Sequence, residues 1–447
     1  MTRRNRLQVF NLLSDPFQRF FQKEASGGII LIIATALALF WANSPWSGLY
    51  QKIINYKLTF QLGELFLISK SLLLWVNDGL IPIFFFVVGL EIKREILTGE
   101  LSEIKQASLP VIAALGGMIV PAGIFICLNY GKPGMEGWGI PMATDIAFSL
   151  GVLSLLGKRV PLNLKVFLTA FAIFNDIGAV IVIALFYSSG IYWSLLLAGS
   201  GLLLMLFVAN LIGIRSIPFY IITGFIIWYL FLKSGIHPTI AGILLAFTIP
   251  ANRKIRIPIF VKSLNKNLDE FCTTDCDDEL LLNRKQLTAI DNMEYYIEKV
   301  QSPLQRLENS LHGFVTWFVM PAFALANAGI VFVGGPEMSG IDSLTIDIAL
   351  SLFPGKLIGV FGFTYLFVKL GFSKLPANLR WVHYIGVGFL GGVGFTMSIF
   401  ISTLAFNDAI LTNHAKMGIL FGSILSGICG YILLRFTLKE KDINSVT

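Results

Sequence analysis

Two aspartates stand in stretches that otherwise hold almost nothing charged: Asp145 in "GIPMATDIAFSLG" and Asp176 in "FLTAFAIFNDIGAVIVIALFY". Asp176 is the only charged residue between Lys165 and Arg215. A carboxylate at a bilayer centre costs about 2.5–3.5 kcal/mol on insertion scales, so it persists where it faces a cavity or a partner. Pro141, four residues before Asp145, removes a backbone donor, and Thr144 beside it adds a hydroxyl oxygen. A helix interrupted there exposes backbone dipole ends, which the membrane tolerates only around an ion or substrate cavity. Two carboxylates, a hydroxyl and freed carbonyls are the oxygen-rich surroundings that a hard cation such as sodium prefers. The same oxygens can hold protons instead. Competition for one site, with exposure alternating between the two sides, suffices for an antiporter. The other use of Asp145 is to cap the interrupted helix.

Two more ionisable residues need the same explanation, Asp78 in "WVNDGLIP" and Lys356 in "LFPGKLIG". A second interruption is expected in "GVGFLGGVGFTMSIFIS", residues 386–402, where glycines allow a break or close helix packing. Its "GVGFLG" matches a dinucleotide fingerprint but lacks the required strand and βαβ unit. Thr396-Met397-Ser398-Ile399-Phe400 aligns with Thr144-Asp145-Ile146-Ala147-Phe148, Thr on Thr and Phe on Phe. This suggests that segments 3–5 and 10–12 are repeats of opposite topology. Two broken helices, segments 4 and 11, would then cross near the midplane, with Asp145 offsetting the positive helix ends and Lys356 the negative ones.

The elements that must position these residues are membrane spans. Of 447 residues, 55% are hydrophobic and 14% charged, against roughly 25% charged in soluble domains. Mean hydropathy is +0.74. Apolar segments fall near 26–47, 72–92, 109–130, 136–156, 162–187, 192–213, 217–232, 236–250, 311–334, 345–368, 382–405 and 413–435. The expected fold is an all-α polytopic membrane protein of twelve transmembrane helices. Lys and Arg concentrate in the amino-terminal arm and in alternate loops, which places both termini in the cytoplasm. The chain then divides into a cytoplasmic arm (1–24), segments 1–8 (25–250), a cytoplasmic loop (251–310), segments 9–12 (311–437) and a cytoplasmic tail (438–447). This distribution accounts for the net charge of +7 with no nucleic-acid partner.

Outside the membrane, "KLTFQLGELFL" alternates Leu58, Phe60 and Leu62 with polar residues, so the 48–70 region is either an irregular loop or a hairpin able to pair a second subunit. The 251–310 loop reads as surface helices or as a disordered insert. Cys272 and Cys276 in "CTTDC" provide too few ligands for a structural zinc site, and four cysteines do not make a disulfide framework.

Taken together, "ATDIAFSLGVLSLLGKR", "FNDIGAVIVIALFY", "FFFVVGLEIKREILTGEL", "MPAFALANAG" and "GGVGFTMSIFISTLAF" resemble the NhaA-type sodium/proton antiporters over about residues 15–437. The resemblance implies a bacterial inner-membrane transporter with no cofactor, exporting Na+ or Li+ against incoming H+ and serving pH and sodium homeostasis. It implies that Asp145 and Asp176 bind the ion and carry protons beside Thr144, and that Lys356 sits at the helix crossing with Asn175 and Thr396 in support. Glu91, Arg94, Glu95, Glu308 and His312 would form a cytoplasmic cluster in the pH response, and Asp78 would serve structure or activity less directly. An ordinary solvated helix end is the plainer account of Glu91, Arg94 and Glu95. The chain departs from many family members at Asn175, where an aspartate pairs with the lysine matching Lys356. Asparagine cannot neutralise Lys356 or carry a proton, which leaves charge balance open. Competing classes are an intramembrane aspartyl protease, whose dyad shares a proton, and a sodium-coupled solute symporter.

Overall fold

The computed structural model describes residues 27–62, 66–99, 104–188, 190–272, 282–332, 342–373, 375–376 and 379–438. Among these residues the regular structure is helical apart from one antiparallel hairpin, β1 (Lys57–Leu62) and β2 (Phe66–Ser71), registered from Lys57 opposite Ser71 to Leu62 opposite Phe66. Trp75 Nε1 donates to Leu58 O at 3.1 Å and Lys233 Nζ to Leu67 O at 3.0 Å, docking both strands on the helical body. The 48–70 stretch is therefore a short helix, Ser47–Ile54, followed by a hairpin.

Among the described residues seven helices are long and apolar enough to cross a membrane, and two bent pairs bring the number to nine. In chain order the helices are α1 (Gly27–Ala42), α2 (Ser47–Ile54), α3 (Leu72–Thr98), α4 (Ile104–Asn129), α5 (Ile146–Ser154), α6 (Leu162–Phe186), α7 (Trp193–Ile212), α8 (Ile217–Ser234) and α9 (Pro238–Thr248). Then come α10 (Ile257–Cys272), α11 (Arg284–Val300), α12 (Pro303–Phe314, running on through Val315–Val319 into Met320–Asn327), α13 (Ser343–Lys369), α14 (Trp381–Gly391), α15 (Phe395–Ala405) and α16 (Ala409–Thr437). The chain is a polytopic membrane protein. Its outer surface shows large apolar side chains, such as Leu204 and Leu211 on α7, while Thr144, Asn175, Lys356, Thr396 and Ser398 are fully buried. That inversion of the soluble pattern is what a lipid solvent favours.

Segment 4 departs from a continuous span. A 3-10 helix, Met135–Met142, carries Pro141, the backbone is extended at Ala143, and α5 starts after Asp145. Segment 11 breaks at residues 392–394 between α14 and α15, with a 42° bend. The helix that carries segment 9 starts ahead of the apolar span, because Ser302 and Gln305 form a capping box that begins α12 at Pro303. Two helices, α10 and α11, occupy most of the 251–310 loop; Cys276 and the rest of 273–281 lie outside the described residues.

Two glycines set a close helix contact near the site. On α4 and α13, a methyl group at Gly116 or at Gly359 would overlap the carbonyl oxygen of the other. This approach holds the start of α13's second half against α4 and so positions Lys356.

Candidate ion-binding site

The two breaks pack against each other. Asp145 N donates to Val393 O at 2.7 Å, Thr144 Oγ1 to Gly391 O at 2.8 Å, Ser149 Oγ to Leu390 O at 2.8 Å, and Ser398 Oγ to Ile140 O at 2.8 Å. Each helix end thus satisfies part of the backbone left open in the other. At Gly394 a side chain would press on Ala143 O at 2.9 Å, so this close crossing favours glycine.

Asp145 occupies the meeting point of two helix N-termini. Its Oδ1 accepts from Phe148 N at 3.1 Å, and its Oδ2 accepts from Thr396 N at 2.9 Å and from the Thr396 hydroxyl. The capping role and the placement beside the crossing therefore coexist in one carboxylate. Lys356 serves the opposite ends. Its Nζ donates to Met142 O, to Ala143 O at 3.3 Å and to Asn175 Oδ1 at 3.4 Å, while Asn175 Nδ2 donates to Met142 O at 2.8 Å. Lys356 follows a π turn, Ser351–Gly355, that contains Pro354. Similar turns hold Asn77 and Asp78 (Val76–Leu80) and Thr316 (Val315–Val319). Such bulges alter where the following side chains point.

Asp176, on α6, is 2% exposed, and its Oδ1 accepts no hydrogen bond from the described residues. It lines a narrow cavity of about 50 Å3 with Asp145, Thr396, Glu91, His312 and Thr316. On that measure a water needs about 10–15 Å3, so a few water-sized particles fit. An orphaned carboxylate oxygen beside a second carboxylate and a threonine hydroxyl suits a small hard cation as cargo. Among the described residues no group of three His, Cys, Asp or Glu could hold a metal ion by itself. Backbone and hydroxyl oxygens would have to complete any shell.

Toward the far end of the cavity Glu91 meets His312 at 3.6 Å. Nearby, Arg94 bridges Glu95 at 2.9 Å and Glu308 at 2.5 Å. Burial pushes the Glu308 carboxyl up to about 7 against the lowering effect of Arg94, with Glu91 adding to the rise. Asp78 lies elsewhere, beneath the hairpin: Lys70 pairs with it at 2.5 Å, His237 Nε2 is 3.5 Å away, and Trp228 Nε1 donates to its carbonyl at 2.7 Å. Ser149, Ser398, His237 and Trp228 were not singled out by sequence reasoning. For His237 the available signal was "GIHPT", a polar residue capping a helix that starts with proline.

These features define a class, the polytopic membrane proteins whose buried, ion-sized site lies where two interrupted helices cross. The sequence profile described as Na+/H+ antiporter 1 matches residues 18–434. The chain is 47% identical to the Na(+)/H(+) antiporter NhaA of Oleidesulfovibrio alaskensis, with 97% of each chain covered. It is 44% identical to that of Phocaeicola vulgatus, covering 98% of this chain and 99% of the relative, and 47% identical to that of Christiangramia forsetii, covering 96% of each. The chain belongs to the Na+/H+ antiporter 1 family, and so is a secondary transporter rather than an enzyme.

Proposed function

We propose that this protein exchanges sodium or lithium for protons across the bacterial inner membrane, with both termini in the cytoplasm. The observation that carries the mechanism is the Asp176 carboxylate, buried with an unsatisfied oxygen in a cavity it shares with Asp145 and Thr396. In one state sodium occupies the cavity, held by Asp176, Asp145 and nearby hydroxyl and carbonyl oxygens; its charge offsets one carboxylate, and the two helix N-termini at Asp145 offset the other. In the other, protons on the carboxylates replace it. Because the two occupants exclude each other, release of one on each side loads the other.

The two breaks would belong to inverted repeats within a twelve-span arrangement. In support, the matching Thr144 and Thr396 both act at the crossing, the first on a carbonyl and the second on a carboxylate. Glu91, Arg94, Glu95, Glu308 and His312 would tune the exchange to pH from the cytoplasmic end. The hairpin would pair two copies, a reading supported by its two-stranded sheet with outer edges. Disulfide trapping of cysteines placed at Thr59 tests that pairing, and monomers throughout would oppose it.

A cavity of about 50 Å3 leaves no space for an organic solute, whose sites span about 300–1,000 Å3. An aspartyl dyad would hydrogen-bond its two carboxylates; here Asp145 spends its oxygens on Phe148 and Thr396. Sodium-driven proton movement in proteoliposomes, with the wild type and Asp176→Asn compared, tests the proposal.

A further inference from the structure

The cytoplasmic pair α10 and α11 takes no part in the site. The two helices pack chiefly on each other, around Asn267, Gln286 and Ala289, which are buried. Both ends are tied to the membrane boundary. Residues 249–256 allow at most about 28 Å of extended chain between α9 and α10, and α11 meets α12 across residues 301–302. Lys254 N donates to Lys299 O at 3.2 Å and Leu304 N to Pro250 O at 3.1 Å, closing the foot of the pair.

On α10, Ile257, Val261 and Leu268 recur at helical spacing on one face and remain exposed by 52%, 46% and 50%. Lys266 and Glu270 lie on the opposite face, together with the exposed Ile259. From Arg253 to Lys266 the chain carries Arg253, Lys254, Arg256, Lys262 and Lys266 with no acidic residue. A short tether to a span, an unpartnered apolar stripe and a juxtamembrane basic run are the features of a helix lying in a membrane interface. The basic run complements anionic headgroups, each cation contributing about 1 kcal/mol near a charged surface.

We propose that α10 docks on the inner leaflet, with Ile257, Val261 and Leu268 among the acyl chains and the basic residues Arg253, Lys254 and Arg256 at its start on anionic phospholipid headgroups. This anchors the loop between α9 and α12 and is independent of the ions transported.

The test places the photo-crosslinker p-benzoylphenylalanine at Val261 or Leu268 on the lipid-facing stripe, or at Lys266 or Glu270, which pair with each other on the opposite face away from the headgroups, in the full chain. Each variant is reconstituted in vesicles of phosphatidylglycerol and phosphatidylethanolamine, or of phosphatidylcholine alone, and its adducts are read by mass. Retained sodium/proton exchange identifies folded variants. The expected result is abundant lipid adducts at 261 and 268, few at 266 and 270, and enrichment of phosphatidylglycerol over its share of the bilayer. Replacing Arg253, Lys254 and Arg256 with glutamine should remove that enrichment. Equal adducts on both faces, no lipid adducts, or adducts joining two protein chains would overturn the docking. Indifference to headgroup charge, or to the triple substitution, would overturn the anionic-lipid assignment.

Discussion

Asp145 and Thr396, 251 residues apart, are joined by two hydrogen bonds to one carboxylate oxygen, one from the Thr396 amide and one from its hydroxyl. The pair locks the two broken segments together and aims Asp145 at the cavity. A hydrogen bond to a charged group contributes about 1.5–3 kcal/mol, so Thr396→Val should raise the sodium concentration for half-maximal exchange by about ten-fold or more. Sodium titration of exchange checks this, and an unchanged half-maximal concentration would remove Thr396 from the site.

Asn175→Asp would place a carboxylate within reach of Lys356 Nζ, now 3.4 Å from the Asn175 oxygen. A buried ammonium gains a charged partner, and the expected stabilisation is about 2 kcal/mol. Thermal unfolding in detergent should show a raised midpoint. The same substitution adds a titratable group, so current per sodium transported should change on a solid-supported membrane. An unaltered midpoint and unaltered current would mean that Lys356 is already fully satisfied by Met142 and Ala143.

Glu308, buried beside Arg94 and ahead of the segment 9 span, titrates at about 7 rather than at its ordinary 4.5. Its folded value is raised, so between those two values the native protein holds a proton that the unfolded chain has released. The contribution of Glu308 to stability therefore declines as pH rises through that window. Above about 7 the carboxylate is charged and pairs fully with Arg94. Glu308→Gln should flatten the pH dependence of exchange around neutrality, measured from pH 6 to 8.5 in steps. Superimposable profiles would assign the pH response to other groups.

Gly116 and Gly359 make a contact with no room for a side chain. Gly116→Val should destabilise by about 1–3 kcal/mol, at the upper end because the obstacle is a backbone carbonyl. Thermal unfolding reports the loss, and the half-maximal sodium concentration should also rise, since α13 carries Lys356. A variant with wild-type stability would show that the two helices can separate freely.

The parts of this architecture that were legible in the sequence are those written in side-chain type. Asp145 and Asp176 stood out because charge is scarce in apolar runs. Pro141 and the glycines at 391, 392 and 394 marked the breaks, and alternation of Leu58 and Phe60 pointed to the hairpin. What escaped is written in the backbone. Met142 O, Ala143 O, Gly391 O and Val393 O carry much of the crossing, yet every residue has a carbonyl. Only the fold decides which of them are left open. The early start of α12 escaped for a related reason: its first turns are polar on one face and pack by another, so a hydropathy window misses them. The meeting of His237 and Trp228 with Asp78 depends on α8 and α9 packing against α3, which no local pattern encodes.

The central claim is that sodium and protons compete for Asp176. Purified protein in proteoliposomes, with internal pH followed by a dye as sodium is added outside and the membrane potential clamped, tests it most directly. The account predicts sodium-driven proton movement in the wild type and none in Asp176→Asn, with the variant retaining wild-type thermal stability. Sodium-driven proton movement undiminished in Asp176→Asn would contradict it.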